Sequence, residues 1–581
     1  MALDDVGFCL YPGETLALLG ESGCGKSLTS LAMMRLLPSH SVYGRTSEVL
    51  LDKSDVLALP ESLMRGLRGR RLAMVFQEPM TALNPVLSIG EQLSEALLQH
   101  QSLSHAELQG RMLALLTDVE MPQPEIRLRQ YPHQLSGGQK QRVVIAMALA
   151  HHPEVLIADE PTTALDVAIQ AQILDLLKKL QQQYKMSILL ITHDLGVVKN
   201  MANRVCVMYA GQVVESSLVD VFFSQPLHPY VQQLFVSVPS FAKREQRLQS
   251  ITGAVPSLDN MPKGCRFHPR CVHAFAPCSS TEPLLQERSN GRTVRCHLYP
   301  EHQKPPALPD TTHDWPTPQA SNELILSVNQ LAVYFDLGHG LFHRKTETFK
   351  AVDDVSFRLY KGKTLAVVGE SGCGKTTLSR ALLRLQPITS GQVWYRDQLV
   401  SDLRGSGLQD FRKKIQIIFQ DPFSSMNPRM TVGDILAEGM QAQGISSKRI
   451  RQKQVSLLDQ VGLAKNSVHR YPHQFSGGQR QRICIARALA LEPEVLVCDE
   501  PTSALDISIQ AQILNLLKEL QQAFGLSYLF ITHNMGIVSY IADDVLVMRG
   551  GKVVEMGTCE QVLQHPQEQY TRDLLQAVLS F

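Results

Sequence analysis

The chain has 581 residues, too many for one core, and domain-size statistics place roughly two to four domains in it. A net charge of +1 leaves no broad basic surface for nucleic acid, and no apolar run approaches the ~18 residues that cross a bilayer. The acidic opening MALDDVGF is no export signal, and 11 scattered cysteines argue against a secreted disulfide framework. The sequence thus predicts a soluble, cytoplasmic chain that meets membrane only through partners.

One long internal repeat organises the chain. Ala2–Phe8 (ALDDVGF) returns as Ala351–Phe357 (AVDDVSF), and Ala158–Asp166 (ADEPTTALD) returns as Cys498–Asp506 (CDEPTSALD). This divides the chain into 1–235, an insert at 236–320, 321–562, and a tail at 563–581.

In each repeat a short buried strand (ETLALLG, KTLAVVG) precedes a glycine-rich loop and an apolar helix. The loops are Gly20-Glu21-Ser22-Gly23-Cys24-Gly25-Lys26-Ser27 and Gly369-Glu370-Ser371-Gly372-Cys373-Gly374-Lys375-Thr376, the latter followed by Thr377. This is the G-x-x-x-x-G-K-[S/T] pattern of a phosphate-binding loop. Its glycines let backbone N–H groups face phosphates, Lys26 or Lys375 adds charge, and Ser27 or Thr376 offers a hydroxyl to Mg²⁺. The neighbouring Cys24 and Cys373 are either small space-fillers or thiols activated by lysine and a helix start.

Next, apolar strands end at Gln77 and Gln420, either a polar strand cap or an amide that orients water or Mg²⁺. Segments Leu93–Leu128 and Ile435–His469 have helical periodicity and predict a helical subdomain inserted in an α/β core. Tyr131–Arg142 (YPHQLSGGQKQR) and Tyr471–Arg482 (YPHQFSGGQRQR) follow. Ser136, Gly137, Gly138 and Gln139, and likewise Ser476, Gly477, Gly478 and Gln479, open a helix whose positive end suits a phosphate. Two more apolar strands deliver the acid pairs Asp159-Glu160 and Asp499-Glu500. Such pairs are costly unless metal or substrate receives them: the Asp suits Mg²⁺, the Glu a base for attacking water. His193 and His533 end another buried strand, in structural roles or as sensors of the terminal phosphate.

With phosphate loop, Q-loop, LSGGQ signature, acid pair and histidine in this order, the chain resembles the ABC-type ATPases over nearly its whole length. The resemblance implies an α/β fold of two P-loop nucleotide-binding domains, each with a helical insertion, joined by a cysteine-containing linker. It also implies head-to-tail pairing, with each ATP held between one phosphate loop and the opposite signature. One site would combine Lys26, Ser27, Gln77, Asp159, Glu160 and His193 with Ser476 and Gly478; the other would combine Lys375, Thr376, Gln420, Asp499, Glu500 and His533 with Ser136 and Gly138. Ser27, Gln77 and Asp159, or Thr376, Gln420 and Asp499, would attend Mg²⁺, and Asp166 and Asp506 would lie at the seam. FQEPMTALNP, FQDPFSSMNP and PLHPYVQQLF are similar to the ATPases of oligopeptide, dipeptide, glutathione and nickel importers. That implies two transmembrane permeases, an extracytoplasmic solute-binding protein, and a place on the cytoplasmic face of the inner membrane. The alternative is a soluble tandem ATPase acting on ribosomes or DNA.

By the same resemblance Phe335 in LAVYF stacks on adenine, with Tyr334 as its rival. The first repeat begins at ALDDVGF, so this edge strand is expected to be missing there, from a misplaced start or a lost stack. Asn534 replaces the Asp194 that follows the histidine, with a modest expected effect. In the insert, Cys265, Cys271, Cys278 and Cys296 stand in a non-periodic segment resembling the extension of peptide-importer ATPases. Some of those carry a [4Fe–4S] cluster; zinc and free structural thiols are the alternatives. Pro300, Pro305, Pro306, Pro309, Pro316 and Pro318 predict a stiff tether into the second repeat.

Overall fold

A computed structural model describes residues 2–77, 79–163, 165–299, 306, 308–309, 313–316, 322–336, 348–503 and 505–577. Each repeat builds a parallel sheet around its phosphate-loop strand. In the first half the order is Leu72–Val75, Val155–Asp159, Ser187–Thr192, Thr15–Leu19 and Arg204–Tyr209, continued by Gln212–Leu218, Arg292–Val294 and Gln286–Arg288. In the second it is Ile415–Ile418, Val495–Asp499, Ser527–Ile531, Thr364–Val368, Asp544–Arg549 and Lys552–Thr558. Central strands such as TLALL are covered on both faces, which is why they read as unbroken apolar runs. Register places Leu19 beside Thr192 and Asp159 beside Ile191. The residues just past these strands therefore gather at one edge, the carboxyl ends where α/β sheets bind ligands.

Helices Ile89–Leu98 and His105–Asp118 form the first helical insertion; Val432–Ala442 and Ser447–Gln460 form the second. Sequence specifies their starts: Ser88 with Glu91, Ser104 with Glu107, and Thr431 with Asp434 form reciprocal capping boxes. The second half also carries an antiparallel sheet of Thr348–Tyr360, Leu324–Asp336, Ser390–Tyr395 and Gln398–Leu399. Its counterpart among the described residues of the first half is the small hairpin Leu50–Leu51 with Ser54–Asp55.

The insert, which the repeat assigns to neither half, is shared between both. Arg292–Val294 adds a strand to the first sheet, and Phe267 packs in that half's core with Tyr209 and Tyr230. Leu248, 2% exposed, instead lies in the core of the second half. Of the predicted tether, Pro306, Pro309 and Pro316 are irregular backbone, while Pro300, Pro305 and Pro318 lie outside the described residues. Within 563–581, Gln569–Ala577 is a helix that seats Tyr570 and Leu574 in the second half's core. No helix among the described residues is long and apolar enough to cross a membrane.

Candidate active sites and the cysteine module

Both phosphate loops turn from strand to helix through a glycine at φ 106, Gly25 and Gly374. A Cβ at Gly374 would run into the Ala351 carbonyl, so conformation and space both demand glycine there. Lys26 Nζ donates to the carbonyls of Gly20 (2.7 Å) and Glu21 (3.2 Å); Lys375 Nζ donates to those of Gly369 (2.8 Å) and Glu370 (2.9 Å). Ser22, Gly23, Ser371 and Gly372 stay exposed at the loop tips, and Ser27, Thr376 and Thr377 are half-buried in the following turns.

The two halves meet at these loops. The Ser22 N–H donates to Asp506 of the second half (2.9 Å), and the Ser371 N–H donates to Asp166 of the first (3.2 Å). Each seam aspartate also opens a helix of its own half, Val167–Tyr184 or Ile507–Phe524. The arrangement is reciprocal and head to tail.

The acid pairs share a glutamine and a histidine partner. Glu160 and Glu500 both sit at φ 47, a left-handed conformation that costs a non-glycine residue roughly 1–3 kcal/mol. Glu160 accepts from Gln77 Nε2 (2.9 Å) and Thr163 Oγ1 (2.8 Å) and pairs with His193 Nδ1 (3.1 Å). Glu500 accepts from Gln420 Nε2 (3.0 Å) and pairs with His533 Nδ1 (3.2 Å). Burial acts to raise the Glu160 carboxyl, but the His193 hydrogen bond and charge outweigh it and hold it at about 2. The same balance lowers Glu500. For His193 burial pulls downward, and Glu160 and then Asp506 across the seam reverse it, raising the imidazole.

Asp159 and Asp499 behave oppositely: burial raises both carboxyls, against a hydrogen bond from Ser27 or Thr376. The Thr376 hydroxyl lies 3.4 Å from Asp499 Oδ1, and Asp159 Oδ1 is buried with no hydrogen-bond partner among the described residues. An orphaned carboxylate oxygen beside a loop hydroxyl suits a hard divalent cation, so Mg²⁺ fits here. Gln77 and Gln420, read from sequence as attending that ion or the attacking water, donate through Nε2 to the glutamates, a bond that does not use the Oε1 a cation would take.

At the signature, Ser136 and Ser476 are exposed N-caps of helices Gly137–Ala148 and Gly477–Leu489. Their hydroxyls accept from the N–H of Gln139 (3.3 Å) and Gln479 (3.4 Å), whose side chains reach back to the serine N–H. Gly138 and Gly478 pack so closely on Ile169 and Ile509 that a Cβ would collide. No hydrogen bond among the described residues joins either signature serine to the opposite loop. Phe335, half-buried, packs against the second half's core, while the Tyr334 hydroxyl is bonded to Asp353 (2.5 Å) with Lys350 over its ring. Asn534 caps its helix through Ile537 N–H as Asp194 does through Gly196 and Val197, which explains how the replacement is absorbed. Cys24 and Cys373 are buried, and burial raises both thiols further than their lysines lower them, which favours the space-filling reading.

Sequence reasoning missed Thr163 at Glu160, and two tyrosines: Tyr230 and Tyr570 accept from the loop N–H groups of Glu21 (3.0 Å) and Glu370 (3.2 Å). Their one signal was a tyrosine at the same offset after each repeat.

Cys265, Cys271, Cys278 and Cys296 border one small cavity, with His228, His268, His273 and His297 around it. Burial raises Cys265, takes Cys271 to about 11 and Cys296 to about 12. Among the described residues no three His, Cys, Asp or Glu side chains converge as a metal-ligating set. The shared enclosure fits a thiolate-held group; the side-chain placement does not complete its ligand sphere, and the expectation of a [4Fe–4S] cluster gains no support from it.

The chain matches the family model described as ABC transporter at residues 3–163 and 352–503. It matches that of the oligopeptide/dipeptide transporter C-terminal region at 214–278 and 554–581. It is 45% identical over 583 aligned residues to the glutathione import ATP-binding protein GsiA of Salmonella paratyphi A, covering 99% of this chain and 86% of that one. The GsiA of Escherichia coli gives the same identity and coverage. Among solved structures, cbiO1 of Clostridium perfringens, part of the ABC transporter complex cbiONQ, is 27% identical, covering 42% of this chain and 92% of that one at a TM-score of 0.37.

Proposed function

This chain belongs to the ABC transporter ATP-binding family, as a fused pair of importer ATPase domains, and from that premise we propose that it powers uptake of peptides or peptide-like solutes, glutathione and dipeptides foremost. The ribosome and DNA readings find no support. The observation that carries the proposal is the doubled, reciprocal seam: each phosphate loop is bonded to the aspartate that opens a helix of the other half.

Each loop would cradle the phosphates of ATP, with Mg²⁺ held by Ser27 and Asp159 or by Thr376 and Asp499 and neutralising phosphate charge when bound. Glu160, held in place by Gln77, Thr163 and His193, would orient and polarise the attacking water. His193, hydrogen-bonded to Glu160, fixes that carboxylate. Ser136 and Ser476 would complete the opposite sites through the exposed starts of their helices. Tyr334 is engaged with Asp353 and Lys350, which supports Phe335 as the adenine-stacking ring.

The partners of this reading are two transmembrane permeases, met near Gln77 and Gln420 on the cytoplasmic face of the inner membrane, and a solute-binding protein outside. The four thiols are proposed as ligands of a [4Fe–4S] cluster on the resemblance of this segment to the extension of peptide-importer ATPases; they border one cavity, and as placed they do not form a complete ligand set. Anaerobic purification with iron and sulfide analysis tests this; thiols that stay free and metal-free end the idea. The main test is detergent extraction of the tagged full chain. Two multispan membrane proteins are expected to co-purify and, once reconstituted, to couple ATP hydrolysis to glutathione or dipeptide uptake. Ribosomal or DNA-repair proteins in their place overturn the importer reading.

A further inference from the structure

We propose that Arg270 is a positioning residue for the first ATP site, through which the cysteine module and the second half jointly set the affinity of that site alone. This rests on Gly20–Ser27 being the phosphate loop of that site. Arg270, adjacent to Cys271, forms a buried ion pair with Glu21 inside the loop: the guanidinium is 2.7 Å from Glu21 Oε2, and the two side chains are 6% and 3% exposed. Its Nε donates to the Thr252 carbonyl (2.9 Å), and its guanidinium lies over the Tyr209 ring.

These contacts close a ring around the site. The Ile251 carbonyl, next to Thr252, accepts from Gln512 (2.7 Å) on helix Ile507–Phe524 of the second half. Asp506 opens that helix and accepts from the N–H of Ser22, the residue after Glu21. Glu21 is thus held by Tyr230 at its N–H, by Lys26 at its carbonyl and by Arg270 at its carboxylate. A carboxylate this deeply buried needs its cation, since removing one partner strands a charge. The second half repeats the tyrosine and lysine contacts on Glu370, but among the described residues Glu370 has no ion pair. Coupling through a shared buried charge therefore reaches one site and not its twin.

The test uses the full chain in two backgrounds, K375A to leave site one and K26A to leave site two, with a fluorescent ATP analogue and Mg²⁺ as probe. Arg270→Ala is expected to weaken binding at site one by about five- to a hundredfold, the usual span of coupling between sites, and to leave site two unchanged. Glu21→Gln, isosteric and approached from the loop itself, is expected to give a similar loss, and the double variant no more than either alone. R270K is expected to recover part of the affinity. Equal losses at both sites, additive losses, or no loss from Glu21→Gln overturn the proposal. Analogue binding that persists in a Lys26→Ala, Lys375→Ala double variant would instead overturn the assignment of the loops.

Discussion

Glu215 and Glu555 occupy matching places in the two halves. Glu215 accepts from the N–H groups of Leu227 (3.0 Å) and His228 (2.7 Å); Glu555 accepts from those of Gln567 (2.8 Å) and Glu568 (3.2 Å). The hydrogen bonds correspond, yet the carboxyls move in opposite directions. Burial takes Glu215 up to about 7 despite its hydrogen bonds, whereas at Glu555 weaker burial is outweighed by them and the carboxyl is lowered. The cause is the cysteine module: its strand Arg292–Val294 pairs over Glu215, while the second sheet ends, among the described residues, at Lys552–Thr558. Two copies of one motif acquire different chemistry from what is laid over them.

If the difference between the halves lies in how they are mounted, the catalytic centres themselves should respond alike. Glu160→Gln and Glu500→Gln are each expected to slow hydrolysis at their own site by about 10²–10⁴-fold, measured as single-turnover release of phosphate. A silent Glu500→Gln would break the parallel.

The insert's hold on the second half can be tested next. Leu248 is buried there, and its N–H and carbonyl are both bonded to Asn515. Leu248→Ala is expected to cost about 2–5 kcal/mol in denaturant unfolding of that half. An unchanged transition would show that the insert leans only on the first half.

A pH series sharpens the glutamate comparison directly. A carboxyl raised in the fold adds stability that is full below its ordinary value of 4.5 and is lost as pH rises toward about 7. Glu215→Gln should abolish that slope, an effect on the order of 2–3 kcal/mol across the window. Glu555 contributes stability above 4.5 that is lost as pH falls, so Glu555→Gln should remove an acid-side loss instead. Slopes of the same sign in thermal melts would refute the burial argument.

The smallest effect is expected at the histidine loops. Because Asn534 already caps its helix through a side-chain oxygen, Asn534→Asp should shift stability by no more than about 0.5 kcal/mol and leave ATPase activity intact.

The sequence by itself determined the doubled α/β architecture, the loops, the acid pairs and the signature helices. These depend on local pattern: apolar runs of strand length, glycines where the backbone must turn, and a hydroxyl or amide opening each helix. Ser136 with Gln139, four positions of sequence, carries its own capping geometry. Only the tertiary structure showed Gln77 and Gln420 donating to the glutamates, the insert divided between the halves, and the four thiols around one cavity. It alone joined Arg270 to Glu21, 249 positions apart. Ion pairing and burial depend on which surfaces meet, and no periodicity along the chain records which distant side chain will stand beside a buried charge.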